Sequence, residues 1–465
     1  MHTNPMPFDT ILIFTRYPRP GRVKSRLIPA LGAEGATDLQ RAMAGQVAGR
    51  AWALGTADPN LRVKVLAEDA TPAEMRVWLG PLASSPQGEG DLGERMARAT
   101  EAEFARGARK VLVIGTDCPR MDERTLLAAR AALDRTPLVF VPAEDGGYVL
   151  VGMTRPCPAI FDGIAWGGPE VLAASLGQAT AAGCSYILLP ALPDVDTPDD
   201  LPDAHAALDE GRRVSVIIPA LNEAVCLTRL LPRLTEARPH EVLVADGGSR
   251  DGTREVARMH GARVVESPRG RGVQMNRAAR LATGEFLLFL HADTEPPARC
   301  CALVADHLAR PGVAAGAFRF ALRDRIAGGA LIERMVRFRN AAFRLPYGDQ
   351  GLFMRRFVFE SLGGYPEWPI LEDVHLIRQL RRRGRVVIAP EAAATSGRRW
   401  RDEGVFRTCL RHQTILLGHR LGISPVRLAR LRPPSGPDRP PPRTHGKEPE
   451  LAQRLADAKV GLEDT

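Results

Sequence analysis

A short apolar run that stops at an acidic residue and then at proline constrains this chain more than any other feature. It is clearest in EFLLFLHADTEPP, Glu285 to Pro297. The run Phe286 to Leu290 is long enough for a buried strand and too short for a helix. It ends at His291-Ala292-Asp293-Thr294, with Glu295 and two prolines beyond. A carboxylate at the carboxyl end of a buried strand sits where open α/β sheets bind their ligands. Proline then suits the first turn of a following helix. Strand alternation places His291 and Asp293 on one side, where they suit a divalent cation bridging protein and diphosphate. An aspartate capping a helix behind a core strand would read the same in isolation. The pattern returns in KVLVIGTDCPRM, Lys110 to Met121, where a strand ends at Gly115-Thr116-Asp117 and Pro119 follows.

One sheet with its helices does not use up 465 residues. Two domains of roughly 200 residues each are the expectation. Hydrophobic residues at 45% and charged residues at 25% are those of a globular, water-facing chain. No stretch approaches the roughly 18 apolar residues of a membrane span. The start, MHTNPMPFD, lacks a basic region followed by an apolar core, so a cytoplasmic location is expected, with peripheral contact at the inner membrane face as an option. The 7 cysteines form no CxxC pair, which argues against structural zinc and against a disulfide framework. Cys300 and Cys301 read as the flank of a helix. The net charge of +9 fits phosphate-bearing substrates or an anionic surface; no nucleic-acid-binding pattern accompanies it. Lysine is confined to Lys24, Lys64, Lys110, Lys447 and Lys459, so a lysine inside a motif carries weight.

In the first half, the strand TILIF (Thr10 to Phe14) runs into TRYPRPGRVKSRL. Two prolines and a glycine forbid regular structure there. Arg16, Arg19, Arg22, Lys24 and Arg26 crowd cations into one loop ahead of a helix, an arrangement that can wrap phosphates or simply be solvated. QGEGDLGERMARA follows as a glycine-rich turn and helix. LVFVPAEDGGYVLVGM holds a tight turn at Asp145-Gly146-Gly147. DVDTPDDL brings Asp194 and Asp196 to one side, with a helix start behind them. These pieces, over most of residues 8 to 205, resemble the nucleotidyltransferase-like branch of the nucleotide-diphospho-sugar transferase (GT-A) fold. They are closest to the radical-SAM/selenodomain-associated, or arsenosugar-biosynthesis, transferases, and more distantly similar to phospholactate guanylyltransferases. The resemblance implies phosphate contacts for Arg22, Lys24 and Arg26 and a metal held by Asp117 and Asp196.

Residues Pro202 to Arg213 read as a short helix or linker. The expected boundaries are 1–209 for the first domain, 210–213 for the linker and 214–432 for the second domain. In that second domain, VSVIIPALNEAVCLTRLLPRL gives a strand into Pro219 and a helix from Asn222-Glu223, with apolar spacing at Val225, Leu227, Leu230 and Leu231. EVLVADGGSRDGTREVA gives a strand, an acidic glycine turn and a helix start at Asp251. SPRGRGVQMNRAARLATG is a basic glycine loop entering a helix. From Ile326 an amphipathic helix carries Arg334, Arg337, Arg339 and Arg344. It could rest on a membrane, cover an acceptor, or turn a basic face to solvent. Another helix, Val405 to Gly422, is too polar to span a bilayer. From Arg432 the composition becomes proline-rich and charged, so 433–465 should be a disordered tail, with a weak helix over Leu451 to Leu462.

The order of these elements over roughly 213 to 432 resembles glycosyltransferase family 2, inverting enzymes of GT-A fold. The resemblance implies nucleotide-sugar contacts for Pro219, Glu223 and Asp246. It sets the family's DxD metal motif on His291-Ala292-Asp293, with His291 in place of the first aspartate; imidazole tolerates Mn²⁺ better than Mg²⁺. YGDQGLF (Tyr347 to Phe353) corresponds to the acceptor-side loop. Glu372-Asp373 opens a helix in which Asp373 would be the catalytic base, although a helix dipole favours acids there in any protein. Arg398, Arg399 and Trp400 would close over the leaving diphosphate. The expected whole is α/β: two GT-A-like, Rossmann-like domains in tandem. The second would be a glycosyltransferase dependent on a divalent cation (Mn²⁺ or Mg²⁺), acting on a nucleotide-sugar and a small-molecule or lipid-linked acceptor. The first would bind a nucleotide or nucleotide-sugar, make the donor as a nucleotidyltransferase, or serve as a non-catalytic binding module.

Overall fold

The structure, a computed structural model, describes residues 7–310 and 312–431, with 399, 402 and 403 described by backbone alone. The expected disordered tail over 433–465 and the weak helix near its end lie outside the described residues.

The first half builds one sheet from β1 (Phe8–Arg16), β2 (Leu61–Glu68), β3 (Ala83–Pro86), β4 (Ala108–Ile114), β5 (Leu138–Pro142), β6 (Tyr148–Met153) and β7 (Tyr186–Leu188). Their order is β3-β2-β1-β4-β6-β5-β7. The second half builds β8 (Val214–Ala220), β9 (Glu241–Asp246), β10 (Arg263–Glu266), β11 (Phe286–Phe289), β12 (Thr294–Glu295), β13 (Val313–Leu322), β14 (Leu352–Arg355) and β15 (Arg385–Thr395). Their order is β10-β9-β8-β11-β14-β13-β15-β12. Without β12 the two sheets have the same topology. In each, the first strand pairs in parallel with the second and fourth. The sixth is antiparallel to both the fourth and the fifth, and the seventh is parallel to the fifth. The chain therefore contains two GT-A-like α/β sheets in tandem. Central strands are apolar on both faces because helices cover both: β8 is buried along its whole length.

Local sequence explains the helix starts. Asp122 accepts a hydrogen bond from Thr125 N and caps the helix Glu123–Ala132. Asp251 accepts from Thr253 N one residue ahead of the N-cap Gly252, and the helix runs Thr253–Met259, two residues later than the expected start. In the helix Ala224–Glu236, Leu227, Leu230, Leu231 and Leu234 are buried. Val225 was expected on that stripe, but it lies two residues before Leu227, about 200° around the helix, and it is exposed. The prolines after Asp293 do not start a helix directly: Thr294 and Glu295 before them form β12, and the helix begins only at Cys300 and runs to Leu308. Cys300 and Cys301 are therefore core residues, not a flank. The helix Leu201–Glu210 leads through three residues into β8.

Both sheets lie in one compact unit ending at Val405, and one apolar core runs through both halves. Ala51, Trp52 and Leu54 of the long helix Ile28–Ala57 share it with Ala314, Leu380 and Val386. A buried polar seam crosses beside this core. Arg50 donates to Pro119 O at 2.8 Å and Met121 O at 3.1 Å, and its other nitrogen lies 3.5 Å from Glu285 Oε2. From the other half, Arg355 donates to Glu285 Oε1 at 2.7 Å and Leu308 O at 3.0 Å. Gly49 makes room for it: a Cβ there would come 2.5 Å from Arg355 Nη2. Glu123 sits beside Glu285, and burial together with that neighbouring charge pushes its carboxyl up to about 7 against the pull of Arg50 and Arg355. The seam thus joins the loop after Asp117 to the residue that enters β11.

The segment from Phe406 forms a second unit, with a helix Val405–Arg420 followed by Pro425–Ala429. Among the described residues no helix is long and apolar enough to cross a membrane.

Candidate functional site

At the carboxyl edge of the first sheet, the cationic loop after β1 divides its charges. Arg16 pairs with Glu68 at 2.8 Å and Arg19 with Glu74 at 2.7 Å. Arg22 is exposed. Lys24 turns inward, held in a left-handed backbone conformation (φ 46°). Its Nζ donates to Val195 O at 2.6 Å and Asp196 Oδ1 at 2.8 Å, and lies 3.6 Å from Asp117 Oδ2. Arg26 reaches Asp196 Oδ2 at 3.4 Å. Burial alone would lower the Lys24 pKa; Asp117, Asp196 and Asp194 outweigh it and raise it. Lys24 and Arg26 are therefore already engaged by carboxylates. Asp194 is pushed up to about 6 by burial and by the charges of Asp145, Asp117 and Asp196.

Among the described residues, the one group of three or more potential ligand side chains that converge is Asp145, Asp194 and Asp196, with oxygens within 4.8 Å of one another. All-oxygen donors of this kind fit Mg²⁺ or Mn²⁺. The expected pair was Asp117 and Asp196; the structure groups Asp196 with Asp145 and Asp194, and sets Asp117 on Lys24. Asp145 lies in the expected tight turn, where its Oδ1 accepts from Gly147 N at 2.8 Å and Gly146 has φ 93°. The signal for Asp145 and Asp194 was present in EDGG and DVD but did not say which acids would meet.

In the second sheet, Asp246 ends β9, is 1% exposed, and accepts from Gly248 N, Ser249 N and Arg254 Nε, the last at 2.6 Å. Burial works against its charge, but Ser249, Arg254 and Gly248 outweigh it and hold the pKa low. It borders a cleft of about 270 Å³ with Gly248, Arg254, Ser267, Pro268 and Arg277. Gln274 ties the strand ends behind the cleft together, donating to Ala220 O and Ala245 O. Pro219 is buried within β8, and Glu223 stands at the start of the next helix. Burial and the charges of Asp293 and Asp251 raise the Glu223 pKa, opposed by Cys226 and by Arg398. Glu223, Asp293 and Arg398 therefore share one neighbourhood.

The extra strand β12 explains how Arg398 arrives there. Thr294 and Glu295 pair with Thr395 and Ala394 of β15, and Ser396 N donates to Asp293 O at 3.2 Å. The helix Arg398–Glu403 begins two residues later. Trp400 is half-buried on it; the side chain of Arg399 lies outside the described residues.

Glu372 and Asp373 open the helix Glu372–Arg383 as expected. Glu372 is the more deeply buried, at 4% exposure, with Arg271 Nε 3.5 Å from its Oε1. Asp373 accepts one backbone N–H on each oxygen, from Gly348 at 2.8 Å and Val374 at 2.7 Å. A Cβ on Gly348 would stand 2.9 Å from His291 Nε2 and 3.7 Å from Asp373 Oδ2, so both side chains border that loop. Arg271 went unassigned in the sequence. Glu372, Asp373, Asp293 and Asp349 surround it and raise its pKa further. The SPRGRG loop showed that a cation would be near, and no local pattern said which of its arginines turns inward. As a cation site, Asp293 and His291 supply one carboxylate and one imidazole, a pair that fits Mn²⁺ better than Mg²⁺.

The two halves match two different protein families. Residues 215–359 match Glycosyl transferase family 2, and residues 53–168 match DUF2064, an uncharacterized protein conserved in bacteria. The second half thus contains a family 2 glycosyl transferase domain. The PGL/p-HBAD biosynthesis glycosyltransferase of Mycobacterium bovis is 30% identical over 165 residues, 32% of this chain and 62% of that protein. Glycosyltransferase AglE of Haloferax volcanii is 29% identical over 182 residues, 35% of this chain and 59% of that protein. The chain spans less than two thirds of the length of these relatives. Among solved structures, glucosyl-3-phosphoglycerate synthase of Mycobacterium tuberculosis, in complex with Mn²⁺, UDP and glucosyl-3-phosphoglycerate, matches 40% of this chain and 72% of its own at 21% identity and a TM-score of 0.31.

Proposed function

We propose that the second half is an inverting glycosyltransferase that moves a sugar from a nucleotide-sugar to a hydroxyl acceptor, small or lipid-linked. The observation that carries this reading is Asp373. Its carboxylate is fixed by two backbone N–H groups beside Gly348 and His291, in the acidic ring around Arg271. Asp373 takes the acceptor's proton as its oxygen attacks the anomeric carbon in line. Glu223 and Asp246 hold the nucleoside side of the donor, with Pro219 shaping the strand end beneath it. Arg271 and Arg398 meet the charge that grows on the departing diphosphate. A divalent cation on Asp293 and His291 supplies further neutralisation when bound, and Trp400 with Arg398 and Arg399 covers the leaving group. Glu372 fixes Arg271.

Residues 1–209 and 214–432 act in this reading as two domains joined by 210–213. The first binds a nucleotide or nucleotide-sugar, with a cation on Asp145, Asp194 and Asp196; Arg22 is exposed, and Lys24 and Arg26 meet phosphate only once they exchange the carboxylates they now pair with. Its shared topology with the second sheet and its acidic trio support this. Incubating the chain with nucleoside triphosphates and sugar phosphates, and looking for pyrophosphate, separates a donor-making nucleotidyltransferase from a binding module. The arsenosugar-type acceptor is supported by the first-half motifs alone. Assaying release of UDP or GDP from nucleotide-sugars, with Asp373→Asn as control, tests the transferase reading: release that is unchanged in the variant would overturn it.

A further inference from the structure

The helix Gly329–Phe343 between β13 and β14 has an inner face and an outer one. The inner one is committed to the fold. Ile332 and Asn340 are buried, Glu333 accepts from Leu322 N at 2.8 Å, and Arg339 donates to Gln350 Oε1 and stacks over the Tyr347 ring. The outer one is a surface stripe. Leu331, Met335 and Phe338 are 58%, 41% and 67% exposed, and their i, i+4, i+7 spacing stacks them on one side. Arg334, Arg337 and Arg344 are exposed around them. The helix has a single acidic residue, Glu333, and it is turned inward. The second unit, considered by itself, repeats this chemistry. On the helix Val405–Arg420, Phe406, Leu410 and Leu417 are 79%, 57% and 59% exposed at i, i+4, i+11. Arg407 and Arg420 are exposed on the same helix, which has no acidic residue.

We infer that the outer face of the Gly329–Phe343 helix is a docking surface for an anionic phospholipid bilayer. An apolar stripe edged by arginines, with its acid removed to the opposite face, is complementary to acyl chains beneath a layer of phosphate groups. A second copy of this chain would cover the stripe but would bring arginine against arginine at its edge, where the phosphate groups of a bilayer surface would pair with them. The Arg339 contacts to Tyr347 and Gln350 fix the same helix to the loop that reaches Gly348, so the docked face is rigidly connected to the candidate acceptor side. The inference stands on the helix itself and not on the transferase reading.

The test is co-sedimentation of the full chain with vesicles of phosphatidylcholine alone and of phosphatidylcholine mixed with phosphatidylglycerol. The expected result is binding to the mixed vesicles, weakened by added salt, and little binding to phosphatidylcholine alone. The triple substitution Leu331→Ser, Met335→Ser, Phe338→Ser should abolish it, and Arg334→Gln with Arg337→Gln should weaken it by about tenfold or more. All of these side chains are exposed, and unchanged thermal unfolding shows that the variants fold. Equal binding to both vesicle types, or undiminished binding by the triple variant, overturns the inference. So does a concentration-dependent dimer, seen by sedimentation velocity without lipid, that the triple variant abolishes.

Discussion

The same place in two sheets of one topology carries opposite charge. After β1 the chain supplies Lys24 and Arg26; after β8 it supplies Glu223. After β4 it supplies Asp117, and after β11 Asp293. In the first half the cation from one loop lies on the carboxylates of the others, so Lys24 and the aspartates largely neutralise one another. In the second half the loops after β8, β9 and β11 supply acids, and Arg271 from the loop after β10 and Arg398 from the loop after β15 meet them. The helices that precede β7 and β15 differ as well. Glu170 precedes the helix Val171–Ala181 and is exposed, whereas Glu372 is buried at the start of the corresponding helix. A shared backbone plan thus fixes where loops converge, while loop residues decide what they can hold. The first site is closed by its own lysine, and the second presents a fixed carboxylate to whatever enters.

The contrast breaks most readily at Asp373. Asp373→Asn keeps the shape and cannot take a proton, so turnover should fall by about 10²–10⁴ with donor affinity nearly intact. Asp117→Asn in the first half should leave transfer by the second essentially unchanged. Asp293→Asn should differ from both, weakening donor binding in a way that added Mn²⁺ partly restores. Turnover and calorimetric donor affinity, measured side by side, check all three; equal losses from Asp373→Asn and Asp117→Asn would show that one reaction uses both sites.

Arg271→Ala should come next. Removing charge-assisted contacts to the diphosphate should weaken donor binding by about 1.5–3 kcal/mol, and Arg271→Lys should recover part of it. In the first half the equivalent test is Lys24→Ala, which should act in two directions. Binding of a nucleoside diphosphate should weaken by roughly tenfold or more. Binding of Mn²⁺ alone should tighten, because Asp196 and Asp117 lose the ammonium that now neutralises them. Calorimetry with each ligand separately checks this, and Mn²⁺ affinity unchanged by Lys24→Ala would mean that the ammonium and the cation do not compete.

The central strands were legible because they are compact apolar runs closed by glycine, proline or acid, as in FLLFL and KVLVI, whereas short or polar strands such as β3 (ASSP) and β12 (TE) carry no such signal. The carboxyl-edge acids were legible because they follow those runs directly. What did not show is whatever depends on contact across the sequence. Arg271 is one arginine in a loop of several, and only its approach to Glu372 singles it out. Val225 falls off the buried stripe because it lies two residues from Leu227, and Cys300 joins the core because the helix after the prolines starts there. The shared topology of the halves is invisible in residue composition, since it resides in pairing such as Ile11 with Val63 and Leu288 with Val216.

The smallest expected effect lies at the seam, and it asks whether the halves behave as one body. Glu123 belongs to the first half and Glu285 to the second, yet burial and the Glu285 charge together raise Glu123 to about 7 from an ordinary value of 4.5. A carboxyl raised in the folded state binds its proton more tightly there than in the unfolded chain. Its contribution to stability is fully present below about 4.5 and is lost as the pH rises through about 7. Glu123→Gln should therefore gain on the native protein by about 1–2 kcal/mol between pH 5 and 8, discounted for the relief that Arg50 and Arg355 give the ionised form. Glu285→Gln should lower the Glu123 pKa and flatten the same window, at the expense of the Arg355 contact. Denaturant unfolding of the wild type and both variants across that range measures the slopes. Equal slopes in all of them would mean that the carboxylates do not sense one another and that the seam is not a shared element.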